Sequence, residues 1–558
     1  MLTLDEFFSS GLVVKCCPRG NEAMMHESDN VKRELRRRQA AYQRAKRRGL
    51  ESLKRGLIDD VLYWFYTAAQ IGWHYHCGQW VDPEMEQALR QIATVICGSG
   101  PAGSSEAEPD KKRIVHLTSS VSDAGGHTEI IMNWIDLLAD CGGIDQFFVS
   151  SELYDSPPKA PNKLRSISAA VKCSQLSPKG MSPSQRVRWI YQQIMQIRPD
   201  KVILYIYPND VFSACAVAAL GDSLELTIVF YDHADHVFNV GMSFAHYVVD
   251  CRIEGARYTK WYRGIEPERI LLVPLWSRPR WSPAITRAAL GLPEQCTVSI
   301  TISSYYKLKP DGHWDFGQAI HDLLSSEADH YHLIVGDGSE SVRQVLLSRF
   351  NNAPASVCDR LIWLGRRTDI DALLNIADFL IESFPMAGGV VRVEAMLARI
   401  PIVAIRNERW PLMSETDALP QGYPLVAISN EDVVRFSRML IADHDMRSLC
   451  QEQLAKHYQL AFSRSALLSI LGNVLSSQPQ NPSLCKLDPR PPHDLHYMVR
   501  VALGGQVPDF HLLARDTAAN IRYTPRKGVS DLLAALKHCT RRRLSRMLGQ
   551  FRSTLASC

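Results

Sequence analysis

The stretch that decides the fold is ESFPMAGGVVRVEAMLARIPIVA, residues 382–404. An apolar run ends at Glu382 and leads to a paired glycine, Gly388 and Gly389. A helical stretch carrying Glu394 follows, and then a second apolar run entered through Pro401. Strand, glycine turn, helix and strand in that order make the repeating unit of a parallel sheet. The glycines let the backbone approach a ligand closely, and the first helical turn offers free N–H groups to an anion such as a diphosphate. Glu394, about one turn into the helix, is spaced to accept hydrogen bonds from ribose hydroxyls. Tight strand–helix packing alone would call for the same glycines, so both readings stand at this point.

Outward from this unit the same pattern repeats. Before it come RIVHL (113–117), QFFVS (146–150), KVILYIY (201–207), LTIVFYD (226–232) and ILLVPL (270–275). A second series runs TVSITIS (297–303), YHLIVGD (331–337), RLIWLG (360–365), FLIES (379–383) and IPIVAI (400–405). Continuous apolar strands separated by helices imply parallel sheets covered on both faces. Two series in tandem predict an α/β fold of two Rossmann-like, doubly wound domains, with the ligand crevice between their strand C-terminal ends. The expected divisions are a helical region over 1–97, a linker over 98–112, and a first Rossmann-like domain over 113–280. A second Rossmann-like domain follows over 281–475, then a linker over 476–493 and a helical tail over 494–558. The linkers are read from GSGPAGSSEAEPDKK and from SSQPQNPSLCKLDPRPPHD, rich in Gly, Pro and Ser.

Three further motifs sit at strand ends. SSYYKLKP (303–310) follows the first strand of the second series and places Lys307 beside the crevice. A single lysine there can neutralise the charge developing on a leaving diphosphate; a solvated surface lysine is the alternative. YDHADHVFNVG (231–241) brings His233, Asp235 and His236 to the end of a first-domain strand. A histidine titrating near neutral pH and oriented by a carboxylate can take an acceptor proton, whereas a hydrogen-bonded structural histidine or a His/Asp metal cluster would look similar. SSVSDAGGHTEII (119–131) puts Gly125, Gly126 and His127 at the first strand–helix turn, as ligand contacts or as a plain helix start. Pro208, Asn209 and Asp210, the pair Arg252 and Arg257, and the turn Gly336, Asp337, Gly338 are lesser strand-end signals.

The 382–404 segment resembles the donor-binding stretch of the O-linked N-acetylglucosamine transferases and the bacterial adhesin N-glycosyltransferases. Glu382, Gly388, Glu394, Ala398 and Pro401 match that pattern. Gly389, Val390 and Val391 stand where the family has hydroxyl residues, and Arg399 where it has glycine. SSYYKLKP is similar to the family turn whose lysine reaches the donor phosphates, and the 231–241 stretch looks like its histidine loop. The resemblance covers about 113–475. It implies a GT-B glycosyltransferase transferring a sugar, with inversion and without a metal, from a UDP-linked donor to a protein, polysaccharide or lipid-linked glycan. His233 and Lys307 would be catalytic. Lys307, Gly388, Gly389, Val390 and Glu394 would hold the donor nucleotide, and Gly125, Gly126, His127, Asp235 and His236 would line the acceptor and sugar side. The nucleotide sugar is a co-substrate, so no cofactor is expected. Two other classes stay open: a GT-B scaffold that binds nucleotide or glycan without turnover, and a metal-dependent hydrolase built on Asp232, His233, Asp235 and His236.

Composition agrees with an enzyme of several domains. Hydrophobic residues make up 46% of 558 and charged residues 22%, and the formal charge of +4 gives no argument for nucleic acid. Fourteen scattered cysteines without a CxxC pair point to reduced thiols. MLTLDEFFSSGLVVKCC lacks the charge order of a cleavable signal, and no apolar run approaches a spanning helix of about 20 residues. The expectation is a cytoplasmic protein. Its Arg/Lys-rich stretch over 32–55 and the amphipathic stretch from Ser530 could touch a membrane surface or serve as solvated helix faces.

Overall fold

The computed structural model describes residues 22–98, 111–122, 126–154, 161–223, 226–279, 282–408, 412, 414, 416–476, 514, 517, 518 and 521. Gly125 and the amphipathic stretch from Ser530 lie outside the described residues, as do nearly all of the two expected linkers.

Two parallel sheets carry the fold. The first has seven strands: β1 (Lys112–Thr118), β2 (Ile144–Ser150), β3 (Cys173–Leu176), β4 (Lys201–Tyr205), β5 (Thr227–Asp232), β6 (Tyr247–Asp250) and β7 (Ile270–Leu272), in the order β3-β2-β1-β4-β5-β6-β7. The second has six: β8 (Thr297–Ile302), β9 (His330–Val335), β10 (Leu361–Gly365), β11 (Phe379–Ile381), β12 (Ile402–Ile405) and β13 (Val426–Ala427), in the order β10-β9-β8-β11-β12-β13. In each sheet the chain starts in the middle, winds outward to one side, then returns to the other. The reversals fall between β1 and β4 and between β8 and β11. Crevices for ligands open at the C-terminal ends of such strands, which is where His127, His233, Lys307 and Gly388 stand.

The burial of β4 shows why these runs are strands. All five of its residues are buried, because helices cover both faces. Even Lys201 is buried, with its Nζ donating to the Ser476 carbonyl at 3.1 Å.

Chain order and packing order differ at both ends. The helices Glu22–Lys54, Ile58–Tyr75 and Pro83–Cys97 share one apolar core with the first sheet, through Tyr42, Phe65, Leu89, Val202 and Phe212 among others. A Cβ on Gly72 would lie 2.7 Å from Phe238 Cγ, so that helix packs closely against the loop after β5. At the other end, the helix Arg464–Val474 lies within the stretch expected as the second domain. It nonetheless buries Leu467, Leu471 and Val474 against Ile131, Trp134 and Leu138 of the first. Its apolar stripe is satisfied across the domain boundary, tying the two sheets together.

The basic stretch over 32–55 is only partly a solvated face. Arg38 bonds Glu34 and the Tyr75 carbonyl, Lys46 pairs with Asp82 and Glu84, and the Arg48 guanidinium lies 4.6 Å from the Trp64 ring centroid. Among the described residues no helix is long and apolar enough to cross a membrane.

Candidate functional site

On the second domain the site is built from the end of β8. The chain leaves Ile302 through Ser303 and Ser304 into a short helical turn, Tyr305–Leu308, that carries Lys307. The turn is clamped by the loop after β9. A Cβ on Gly336, whose φ is +144°, would stand 1.9 Å from the Ser303 carbonyl oxygen, and one on Gly338 would stand 2.6 Å from Tyr305 Cβ. Tyr305 N–H also donates to the Asp337 carbonyl at 2.9 Å. The glycines of this loop therefore serve to fix the lysine turn.

Lys307 is half-buried and donates its Nζ to the Ala387 carbonyl at 3.4 Å, while Met386 N–H donates to the Lys307 carbonyl at 3.4 Å. Burial, reinforced by the nearby Arg252 charge and opposed by Glu382, lowers its pKa to about 8. Directly after Ala387, Gly388 caps the helix Gly389–Leu397. The ammonium and the free N–H groups of that helix thus converge on one spot, as an anion site requires.

The matched carboxylates divide into two roles. Glu382 is buried and pairs with Arg392 at 2.6 and 3.0 Å while accepting from Ile405 N–H at 3.0 Å, so it braces β11, β12 and the helix. Glu394 accepts from Ser277 Oγ at 3.1 Å, a bond between the helix and the segment joining the domains. The substituted Arg399 takes the left-handed conformation, φ +57°, just past the helix end. Ile400 N–H donates to the Ala395 carbonyl and Arg399 N–H to the Met396 carbonyl, both at 3.1 Å. That is a Schellman closure, in which glycine is the residue of least strain.

On the first domain, the helix Gly126–Ala139 starts at the end of β1. His127 Nε2 donates to the Tyr205 carbonyl at 2.7 Å, which leaves Nδ1 as a buried acceptor with no partner. Its ring centroid is 4.5 Å from that of His233. Burial, offset by the bond to Tyr205, lowers the His127 pKa to about 4. His233 is pushed well below the ordinary histidine value, first by burial and then by His127.

Two expectations for the 231–241 loop need correction. His233 is held neutral by burial and does not titrate near pH 7. Nor does Asp235 orient it: that buried carboxylate is taken up by Arg252, through Nε at 2.8 Å and Nη2 at 2.5 Å, with His236 Nδ1 at 3.5 Å. Burial would raise the Asp235 pKa, but the Arg252 guanidinium outweighs it and holds the carboxyl well below its usual range. Asp232 pairs with Arg263, both fully buried. Asp210 accepts from Ser119, Ser151 and Ser213 hydroxyls at 2.6, 2.8 and 2.8 Å, knotting the ends of β1, β2 and β4 rather than lining the cleft.

The two halves meet through small residues. A Cβ on Gly126 would lie 3.9 Å from Val390 Cγ2, and one on Gly389 would lie 2.7 Å from Leu275 Cδ1. Arg252 also donates to the Leu412 carbonyl of the second domain. Sequence reasoning missed this arginine as the bridge between Asp235 and the second domain, because nothing local distinguishes it from Arg257. A cavity of about 570 Å³ is lined by Arg252, Ala387 and Gly389 together with His457, Phe462 and Ile470. Among the described residues no group of three His, Cys, Asp or Glu side chains is placed to hold a metal.

No protein-family model matches the chain, and no curated protein matches it in sequence. Solved structures match it in fold. HepE from Anabaena, in complex with UDP and glucose, aligns over 66% of this chain and 100% of its own, with a TM-score of 0.51 and 17% identity. A glycosyltransferase from Rickettsia africae aligns over 65% of this chain and 98% of its own, with a TM-score of 0.51 and 13% identity. An O-GlcNAc transferase variant from Thermobaculum terrenum covers 83% of this chain and 82% of its own, but its TM-score of 0.45 at 14% identity singles out no family. The chain has the GT-B fold, two facing parallel-sheet domains with a cleft between their strand ends.

Proposed function

We propose that this protein is a glycosyltransferase that takes a sugar from a UDP-linked donor in the interdomain cleft, without a metal. The observation that carries the reading is the convergence of Lys307, tethered to Ala387, with the helix N-terminus opened by Gly388. A diphosphate leaving group develops negative charge as the glycosidic bond breaks, and a fixed ammonium with oriented amides stabilises it. Glu394 is the ribose-side carboxylate, presented by Ser277. Val390 and Val391 lack hydroxyls, so phosphate contacts in this first turn fall to the backbone. HepE is similar in fold and binds UDP and glucose, which supports the donor class.

His233 faces the donor from the first domain. Held neutral, its imidazole can accept a hydrogen bond from the acceptor hydroxyl and receive its proton as the new bond forms. Inversion at the anomeric carbon is the outcome that the resemblance to the O-linked N-acetylglucosamine transferases implies. A glycan-binding scaffold without turnover is the second reading, favoured by Val390 and Val391 and by the missing carboxylate partner of His233.

The test is nucleotide release from a panel of UDP-, GDP- and ADP-sugars, with and without chelator. Turnover of a UDP-sugar that survives chelation and falls about a hundredfold or more in Lys307→Ala supports the transferase. Binding of UDP-sugars with no turnover under any acceptor condition supports the scaffold.

A further inference from the structure

Aromatic side chains from five separate segments meet at the C-terminal ends of the first-domain strands. Tyr207, just past β4, is at their centre. Its ring centroid lies 5.7 Å from Trp73, 6.1 Å from Tyr154, 4.9 Å from His127 and 6.4 Å from His233. All five rings are half-buried, so each keeps part of its surface open. Trp73 sits at the end of the helix Ile58–Tyr75, which Gly72 seats tightly against Phe238, and it stacks on the exposed His74 with centroids 4.3 Å apart. Ser120 Oγ donates to Tyr207 Oη at 2.9 Å, fixing the central ring.

The polar groups on this strip are as informative as the rings. His127 and His233 each present a buried Nδ1 with no hydrogen-bond partner, and burial keeps both imidazoles uncharged. Buried ring nitrogens without partners are costly unless a ligand supplies them. None of the strip residues is a lysine or arginine, so nothing here selects a phosphate or a polyanion. Flat rings with neutral imidazoles at one end match a ligand that is apolar on its faces and carries hydroxyls, which both donate and accept, at its edges. A peptide strand would instead want an open sheet edge, and the strip lies at the ends of β1, β2, β4 and β5, away from the edge strands β3 and β7.

We infer that this strip is the acceptor subsite and that the acceptor is a neutral saccharide chain: its reacting ring would sit at His127 and His233, with preceding rings stacked along Tyr207 and Trp73. The inference rests on the glycosyltransferase reading. It also gives the N-terminal helices a function, since they carry Trp73 to the far end of the subsite.

The test is saturation-transfer NMR on the full chain with saturating UDP, using trisaccharides and monosaccharides of glucose, galactose, mannose and N-acetylglucosamine, and an uncharged serine- and asparagine-containing peptide. At least one trisaccharide should bind, more tightly than its monosaccharide. Trp73→Ala should weaken it about tenfold with little change in UDP affinity. Trp73→Tyr, which keeps a flat ring, should retain most of the binding and serves if the alanine variant does not fold. Binding of UDP but of no trisaccharide, or of the peptide alone, overturns this inference and leaves the donor site standing. Failure of UDP itself to bind removes the glycosyltransferase reading and this one together.

Discussion

Lys307 and Ala387 are joined by a single hydrogen bond, Nζ to carbonyl at 3.4 Å, which ties the end of β8 to the loop that starts the helix Gly389–Leu397. Burial and the nearby Arg252 charge set the electrostatic state of the lysine. Half-buried beside Arg252, it has a pKa of about 8 and loses its charge as pH rises through that value. UDP affinity should therefore fall as pH rises through about 8, and this dependence should vanish in Lys307→Ala; titrations between pH 6 and pH 10 would show it. Stability should move the other way. Because the folded-state pKa is lowered, the unfolded chain binds more protons between about 8 and 10.4, and stability rises with pH across that window.

Gly336 decides whether Lys307 is placed at all. An alanine Cβ there would meet the Ser303 carbonyl at 1.9 Å with the backbone at φ +144°, and backbone cannot yield cheaply. Gly336→Ala should cost roughly 3 kcal/mol or more in denaturant unfolding. UDP binding should weaken in parallel, because the turn that moves is the one carrying the ammonium.

Arg399 offers the opposite case. Its side chain is exposed, while its backbone holds the left-handed conformation of a Schellman closure. Arg399→Gly should stabilise the protein by about 0.5–1 kcal/mol, the relief of left-handed strain less the greater freedom of glycine in the unfolded chain. A lower urea midpoint for the variant would count against this account of the helix end.

Asp235 and Arg252 should be inseparable. Arg252→Ala leaves a buried carboxylate without its guanidinium and should destabilise by about 3–5 kcal/mol, the cost of breaking a buried pair from one side. The Asp235 pKa is depressed, so its contribution is present at neutral pH and is lost as pH falls below about 4. The acid limb of the stability profile should be shallower in Arg252→Ala than in the wild type.

In the proposed reaction His233 serves the acceptor rather than the donor. His233→Ala should lower sugar transfer by about a hundredfold or more while leaving UDP affinity nearly unchanged. Equal losses in both would place the imidazole on the nucleotide instead.

Much of this was legible in the sequence where the signal is local. All ten strands expected from apolar runs are present, because a strand buried on both faces must be apolar throughout. Three were missed. CSQL and YVVD are four residues long, and β13 is two, too short for any periodicity. The Gly388 turn and Lys307 are legible because each is set by consecutive residues just after a strand. The strip of Trp73, Tyr154 and Tyr207 is not. Each aromatic reads as core in its own segment, and only the fold brings them to one wall. Asp235 was misjudged for a related reason: a carboxylate two residues from a histidine looks like its partner until the structure places Arg252 beside it.

The most direct measurement is calorimetric titration of UDP into the full chain in chelator at pH 7, beside the same titration of Lys307→Ala. The wild type should bind saturably, and the variant about tenfold or more weakly. Absence of binding by the wild type, or equal affinity in both proteins, would contradict a donor site built on Lys307 and the Gly388 turn.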